Sequence, residues 1–415
     1  MRIFISCVFI PLLIGSGCAI VGDMSTGTEG DGTYGSDVTF MKKHVEVVEL
    51  SSADGHAKIA IVPAYQGRVM TSTASGDSGA SFGWIHRPNI AAGEFVDHIN
   101  VFGGEDRFWM GPEGGQFAIF FPPDAPFDSE HWQTPPFIDT VPYDLTSKTS
   151  TRCLFQKSTS VNNRHGSEFN LRIERMIRLL DSLRAQELLG VEIPAGIDMV
   201  AYESYNKVYN DGDKAWNKDS GLLSIWILGM YAPSPATTVV IPFEPGSEAE
   251  RGPIVNDEYF GKVPADRLVV RSNVLFFRGD GQHRSKIGLG PKRAKPTIGS
   301  YDADRNVLTL VNYTKTDDTE DYVNSMWELQ EKPYAGDVVN SYNDGPLAPD
   351  KKPMGPFYEL ETSSAALMLK PGMDGSHSHR TFHLQGDEAD LDKIARATLG
   401  VGLNDIKGVF GSDAN

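Results

Sequence analysis

Val101-Phe-Gly-Gly-Glu-Asp-Arg-Phe-Trp-Met-Gly-Pro-Glu-Gly-Gly-Gln-Phe-Ala-Ile-Phe-Phe121 sets the reading of the chain. It gathers three carboxylates (Glu105, Asp106, Glu113), a guanidinium (Arg107), an indole (Trp109) and five glycines into a short span. Dense charge beside an aromatic ring, with glycines that let backbone come close, is what a pocket for a polar ligand needs. Sugars in particular use this chemistry: carboxylates and Arg for hydroxyls, an indole face for the C–H side of the ring. The alternative is a tight glycine-rich hairpin whose charges pair with each other or with water. The charges run straight into Phe117 to Phe121, which reads as an apolar strand, and that setting favours the pocket.

Outward from this stretch the signal is β. His44 to Leu50, Lys58 to Val62, Arg68 to Thr73, Ser150 to Ser160, Leu222 to Met230, Thr237 to Pro242 and Val307 to Tyr313 are short and rich in β-branched or aromatic residues. Gly, Pro, Asn or Asp bound them. Phe169 to Leu189 is ambiguous; the alternation Phe169, Leu171, Ile173 favours a strand at its start. Asp387 to Leu399 predicts one C-terminal helix, with Asp387 as cap, Leu391, Ile394, Ala395 and Leu399 on one face, and Gly400 after it. Many short strands, 25 prolines and 42 glycines predict an all-β chain, a large antiparallel sandwich with many turns.

The N-terminus reads differently. Arg2 followed by the apolar run Ile3 to Ile14 is too short to span a bilayer and predicts an export signal over residues 1–18. Gly15-Ser-Gly-Cys18 resembles a bacterial lipobox, with Cys18 lipidated and membrane contact through that anchor; plain signal-peptidase cleavage is the alternative. Residues 19–37, rich in Gly, Thr, Ser and Asp, read as a flexible tether. Residues 38–415 then read as one continuous domain. Of three cysteines, Cys153 is left alone in a strand-like run and predicts a buried structural thiol. The net charge of −17 argues against a nucleic-acid partner, since nothing would neutralise phosphates.

Several pieces together resemble the galactose mutarotase-like (aldose epimerase-type) β-supersandwich family, within it a group of exported bacterial proteins of undefined function. They are Gly67-Arg-Val-Met70, Phe102 to Glu113, Asn206-Lys-Val-Tyr-Asn210 with Trp216, and Gly221 to Met230. Thr237-Thr-Val-Val-Ile-Pro242, Phe357-Tyr-Glu-Leu-Glu-Thr362, Leu369-Lys-Pro-Gly372 and His379-Arg-Thr-Phe-His383 follow in order. The resemblance implies a β-supersandwich whose concave sheet holds sugar, a fold shared by epimerases, glycoside hydrolases and polysaccharide lyases. It does not imply one reaction.

In such epimerases a late-strand Glu takes the proton from the anomeric hydroxyl and a His protonates the ring oxygen. The resemblance therefore makes Glu359 or Glu361 the candidate base. Strand alternation puts both on one face, about 7 Å apart, where mutual repulsion or burial can raise a carboxyl pKa. The family's mid-chain histidine motifs are missing. The late cluster His377, His379 and His383 shares a strand face and offers His379 as acid and His383 as a sugar contact. Zinc on these three histidines is the less favoured reading, so no metal is assigned. Glu105 is a possible partner acid of glycosidase type, with Asp106 and Glu113 on hydroxyls. Arg68 and Arg107 could hold a uronate carboxylate, with Lys286 a further cation. Trp84, Trp109 and Trp132 lie in turn-rich text and suit sugar stacking, whereas Trp226 reads as core.

No phosphate-binding glycine loop, nucleophile-elbow serine, Cys-x-x-Cys or His-Glu-x-x-His is present, and no cofactor is expected. The sequence thus predicts an exported carbohydrate-active protein that takes an oligosaccharide or polysaccharide and processes it by carboxylate/His acid–base chemistry. The alternative is a non-catalytic surface glycan-binding lipoprotein, and a third reading is a structural lipoprotein with a vestigial cleft.

Overall fold

The computed structural model describes residues 30–346 and 352–411. The predicted signal segment, Cys18 and most of the predicted tether lie outside them. Helix α1 (Tyr34–Met41) starts inside the span expected to be tether. Thr33 caps it through a bond to the Ser36 N–H, and Tyr34 and Val38 are buried. The ordered fold therefore begins a few residues earlier than composition suggested, because one large aromatic can anchor an otherwise polar segment.

In chain order the strands are β1 (Val48–Ser51), β2 (Lys58–Val62), β3 (Arg68–Thr73), β4 (Arg107–Gly111), β5 (Asp144–Lys148), β6 (Arg152–Asn162), β7 (Glu168–Leu179), β8 (Asp198–Asn210) and β9 (Ser224–Tyr231). They continue as β10 (Thr237–Pro242), β11 (Leu268–Arg271), β12 (Val274–Arg278), β13 (Ser285–Leu289), β14 (Thr297–Asp302), β15 (Val307–Tyr313), β16 (Val339–Asn343), β17 (Tyr358–Ser363) and β18 (Asp374–Gln385). Among the described residues they form a three-stranded sheet β1-β2-β3, a five-stranded sheet β13-β16-β17-β9-β4, and a ten-stranded sheet β11-β12-β10-β14-β15-β18-β8-β7-β6-β5. Neighbours pair antiparallel throughout these sheets. The fold is the predicted large antiparallel sandwich.

Why strands such as Val274-Leu-Phe-Phe277 read as unbroken apolar runs follows from their place. Leu275 and Phe277 pack with Ile287, Val339 and Leu360 of the five-stranded sheet. Val274 and Phe276 point the other way, into a cluster with Leu391, Ile394 and Leu399. The same division holds in β10, where Val239 and Ile241 face the short sheet and Val240 faces the helices. A strand covered on both faces needs apolar side chains at every position. Each large apolar side chain buried there contributes roughly 1.5–3 kcal/mol.

The predicted C-terminal helix spans Glu388–Leu399. Asp387 accepts the Ala389 N–H as its cap and Gly400 ends it in the left-handed region, φ 77°. A short helix, Leu403–Gly408, follows. The ambiguous Phe169–Leu189 splits: β7 ends at Leu179, and Ser182–Leu189 is helical behind an Asp181 cap that accepts the Arg184 N–H. Phe117 to Phe121 is not a strand. Its backbone closes turns instead, Ala118 N–H to Gly115 O and Ile119 N–H to Pro112 O, while its rings fill the core. A run of bulky apolar residues fits either state, and the glycines before it decided for turns. Cys153 is buried, as expected, and burial pushes its thiol up to about 12.

Candidate functional site

Strand pairing lays three rows of side chains across the five-stranded sheet. Lys286 opposes Tyr342, Tyr342 opposes Glu359, and Glu359 opposes Met230. In the next row Glu361 opposes Leu228 and Leu228 opposes Arg107; in the third, Trp226 opposes Trp109. Leu360, between the two glutamates, and Tyr358, just before them, belong to the core shared with the long sheet. The rows therefore occupy the other face, turned away from that core. Loops close over it with Ile99, Val101, Glu113, Trp132, Trp327 and Phe357, leaving a cavity of about 230 Å³. That is small beside the roughly 300–1,000 Å³ of typical ligand pockets.

The cavity wall is aromatic and its floor is charged. Trp109, Trp132, Trp226 and Trp327 all line it. Trp132 stacks on Trp327 with ring centres 6.0 Å apart, and Trp109 meets Trp226 edge-on at 5.5 Å. On the floor Arg107 Nη2 donates to Glu359 Oε1 at 3.0 Å, and its guanidinium lies 4.3 Å from the Trp109 ring centre. Glu361 Oε2 accepts from Lys286 Nζ at 2.9 Å and from Trp226 Nε1 at 3.0 Å. Trp109 Nε1 and Arg107 Nε are buried without a hydrogen-bond partner among the described residues. Buried polar atoms are normally satisfied, so the lining holds hydrogen-bonding capacity to offer a polar guest.

Burial raises the Glu359 carboxyl to about 8; Glu361 adds to the rise, and Arg107 and Lys286 oppose it. Burial likewise raises Glu113, against the pull of Lys286. A carboxyl kept protonated near neutral pH, in a wall of indoles, has the character of a general acid.

Of the residues predicted for the site, Glu359, Arg107, Trp109, Glu113 and Lys286 line this cavity, and Glu361 supports its floor. Trp226 is buried, as expected of core, yet lines the same cavity. The others are elsewhere. Glu105 is fully buried, accepting from Ser72 N–H at 2.6 Å and from Tyr202 Oη at 3.0 Å, and lying 3.0 Å from His383 Nε2. The chain turns through positive φ at Gly103 and Gly104 (88° and 111°) just before it. Asp106 lies on the Phe108 side of its strand and pairs with Arg175 at 2.6 Å, both side chains fully buried. Arg68 is buried too, donating to Gly103 O and Gln66 Oε1.

Trp84 sits behind the cavity wall, its ring centre 4.7 Å from that of Phe357. His379 and His377 both meet the Thr362 hydroxyl, at 2.9 and 2.8 Å, and burial pushes them down to about 4 and about 3. Neither His379 nor His383 lines the cavity, so the expected carboxylate/histidine pairing is not assembled there. Nor can the three late histidines share a zinc ion: six residues of strand separate His377 from His383 by about 20 Å. These histidines and early acids are polar keystones between sheets, which sequence alone does not distinguish from a site.

Reasoning from sequence missed Arg284, Trp327 and Tyr342, which line the cavity. The alternation Val339-Asn-Ser-Tyr-Asn343 was a signal for Tyr342 and its strand. Trp327 sits in irregular chain, where no periodicity marks it.

An antiparallel supersandwich carrying an indole-lined, charge-floored cavity on its shorter sheet is the class of protein defined so far. The chain belongs to the family of unknown function DUF6786, whose sequence pattern matches residues 32–410. No curated protein matches the chain. Among solved structures it is similar to the Slr1438 protein from Synechocystis sp. PCC 6803, at 12% identity over 83% of this chain and 96% of that one, with a TM-score of 0.51. A putative aldose 1-epimerase from Escherichia coli K12 matches at 10% identity over 82% and 99% of the two chains, TM-score 0.49. A galactose mutarotase-like protein from Lactobacillus casei ATCC 334 matches at 10% identity over 81% and 100%, TM-score 0.46. The likeness is one of fold.

Proposed function

We propose that the protein binds a saccharide in the cavity on its five-stranded sheet and processes it with Glu359 as general acid. The observation that carries this reading is the meeting of four indoles with the Arg107–Glu359 and Lys286–Glu361 pairs in one small enclosure. Indole faces suit the C–H side of a sugar ring, and buried hydrogen-bonding side chains suit its hydroxyls. The raised Glu359 supplies a proton donor, Arg107 fixes its direction, and Lys286 fixes Glu361 beside it. The acid–base pairing is thus carboxylate with carboxylate. The family likeness in fold is compatible with a sugar ligand.

The test is a screen of the purified protein against neutral and uronate-containing oligosaccharides, read by mass spectrometry and by proton NMR. A product heavier by one water means hydrolysis, an unsaturated product means elimination, and an epimer of unchanged mass means epimerisation. Binding with no product would leave the glycan-binding lipoprotein, and no binding at all would sink the proposal. Trp327→Ala, at a partly buried position, is expected to weaken binding about tenfold, the equivalent of one aromatic stacking contact; unchanged affinity would remove the indole wall from the argument.

Export belongs to the same proposal and rests on the N-terminal sequence. Protein recovered from membranes is expected to begin at a lipidated Cys18, which the mass of its N-terminal peptide checks. An N-terminal peptide still containing Met1 would refute export.

A further inference from the structure

We infer that the cavity is built for an acidic saccharide, a uronate whose carboxylate is held by Arg284 at the cavity mouth. This inference rests on the saccharide reading above and adds the chemical class of the sugar. Arg107 and Lys286, the two deep cations, are already committed to Glu359 and Glu361 at 3.0 and 2.9 Å. Arg284 is not. It precedes β13 and lies two residues before Lys286, so it belongs to the same sheet face, about 7 Å along the strand direction. It is half-buried where Lys286 is buried.

Its guanidinium is centred 3.6 Å from the middle of the Phe260 ring, and its Nε is buried with no hydrogen-bond partner. Among the described residues no carboxylate lies within ion-pair distance of it. Asp344, the lining carboxylate that feels its charge, is occupied otherwise: it accepts from the Tyr342 hydroxyl and from the Gly355 N–H, each at 2.9 Å. A guanidinium lying flat on an aromatic ring keeps its edge free. That edge is a rigid fork of N–H donors matched to a planar carboxylate.

Recognition of an acidic sugar here has to be local. The chain carries a net charge of −17, so its overall field repels anions. That field is screened within about 8 Å at physiological salt. Arg284, beside the indole-lined floor, supplies the attraction where it counts. A neutral sugar would leave the Arg284 edge without an acceptor, and an unmade charged hydrogen bond disfavours it.

Isothermal titration tests this with a panel of galacturonate, glucuronate and mannuronate oligosaccharides, their neutral counterparts of equal length, and sulfated versions of the neutral set. At least one uronate is expected to bind about tenfold or more tighter than its neutral counterpart. In Arg284→Gln that ratio is expected to fall to about one, and Arg284→Lys is expected to restore part of it. Thermal melting of both variants confirms that they fold. Neutral sugars binding as tightly as uronates, or a preference that survives Arg284→Gln, would overturn the inference. So would sulfated sugars matching the uronates, since the site would then read charge and not a planar carboxylate. If neutral and acidic sugars all fail to bind, the saccharide reading falls together with this one.

Discussion

Protein carrying Asp106→Ala is expected to lose about 3–5 kcal/mol of stability, because the change strands a buried guanidinium. Arg175 and Asp106 sit 2.6 Å apart with no exposure of either side chain. Arg175 has further acceptors, Asn206 Oδ1 at 2.7 Å and Gly67 O at 3.2 Å, but Asp106 is its only carboxylate among the described residues. With about 2 cal/mol/K of unfolding entropy per residue, that loss lowers the melting midpoint on the order of 5 °C. Calorimetry on parent and variant measures it. Asp106→Asn keeps a hydrogen-bond acceptor and should fall between them. A loss below about 1 kcal/mol would mean that the neutral acceptors alone satisfy Arg175.

Glu359→Gln is expected to lower turnover of any sugar the protein processes by 10²- to 10⁴-fold, the usual contribution of a general acid, while ligand affinity changes little. Gln keeps the size of the side chain and an oxygen to accept from Arg107, and lacks the proton to give. The parent rate should fall as pH rises through about 8, where the Glu359 carboxyl ionises. The same group shapes stability. Its folded pKa lies above its ordinary value of 4.5, so the folded state binds the extra proton, and stability falls as that proton is lost. The contribution is fully present below about pH 4.5 and gone once pH passes about 8. Glu359→Gln should flatten that slope in denaturant titrations at several pH values. An unchanged turnover rate in the variant would transfer the acid role elsewhere in the cavity.

The strands that were legible in the sequence were mostly those covered on two faces. Thr237 to Pro242 and Val307 to Tyr313 carry apolar side chains that only a buried strand can use. Glu359 and Glu361 were legible for a related reason: a period of two, in a strand with Leu360 between them, placed both on one face. Glu105, Asp106 and Arg68 were misread because a buried ion pair and a ligand site use the same residue types at the same density. What separates them is the partner, and Arg175 lies 69 residues from Asp106 while His383 lies 278 from Glu105. Phe117 to Phe121 shows the converse: five apolar residues announce burial, but only the preceding turns tell how the backbone runs. Trp327 reaches the cavity from irregular chain, where position depends on the whole fold and not on local period.

The pairing of Glu105 with His383 also sets an order of events in the life of the chain. The carboxylate emerges in the first third of synthesis, and the imidazole that faces it arrives in the last tenth. Until then the Glu105 side chain has no finished interior to enter, and neither does the strand edge around it. A polypeptide that ends before residue 383 therefore leaves Glu105 with Ser72 and Tyr202 but without the imidazole that faces it. Completion of the long sheet therefore waits for β18, the strand that carries His383 and seats between β15 and β8.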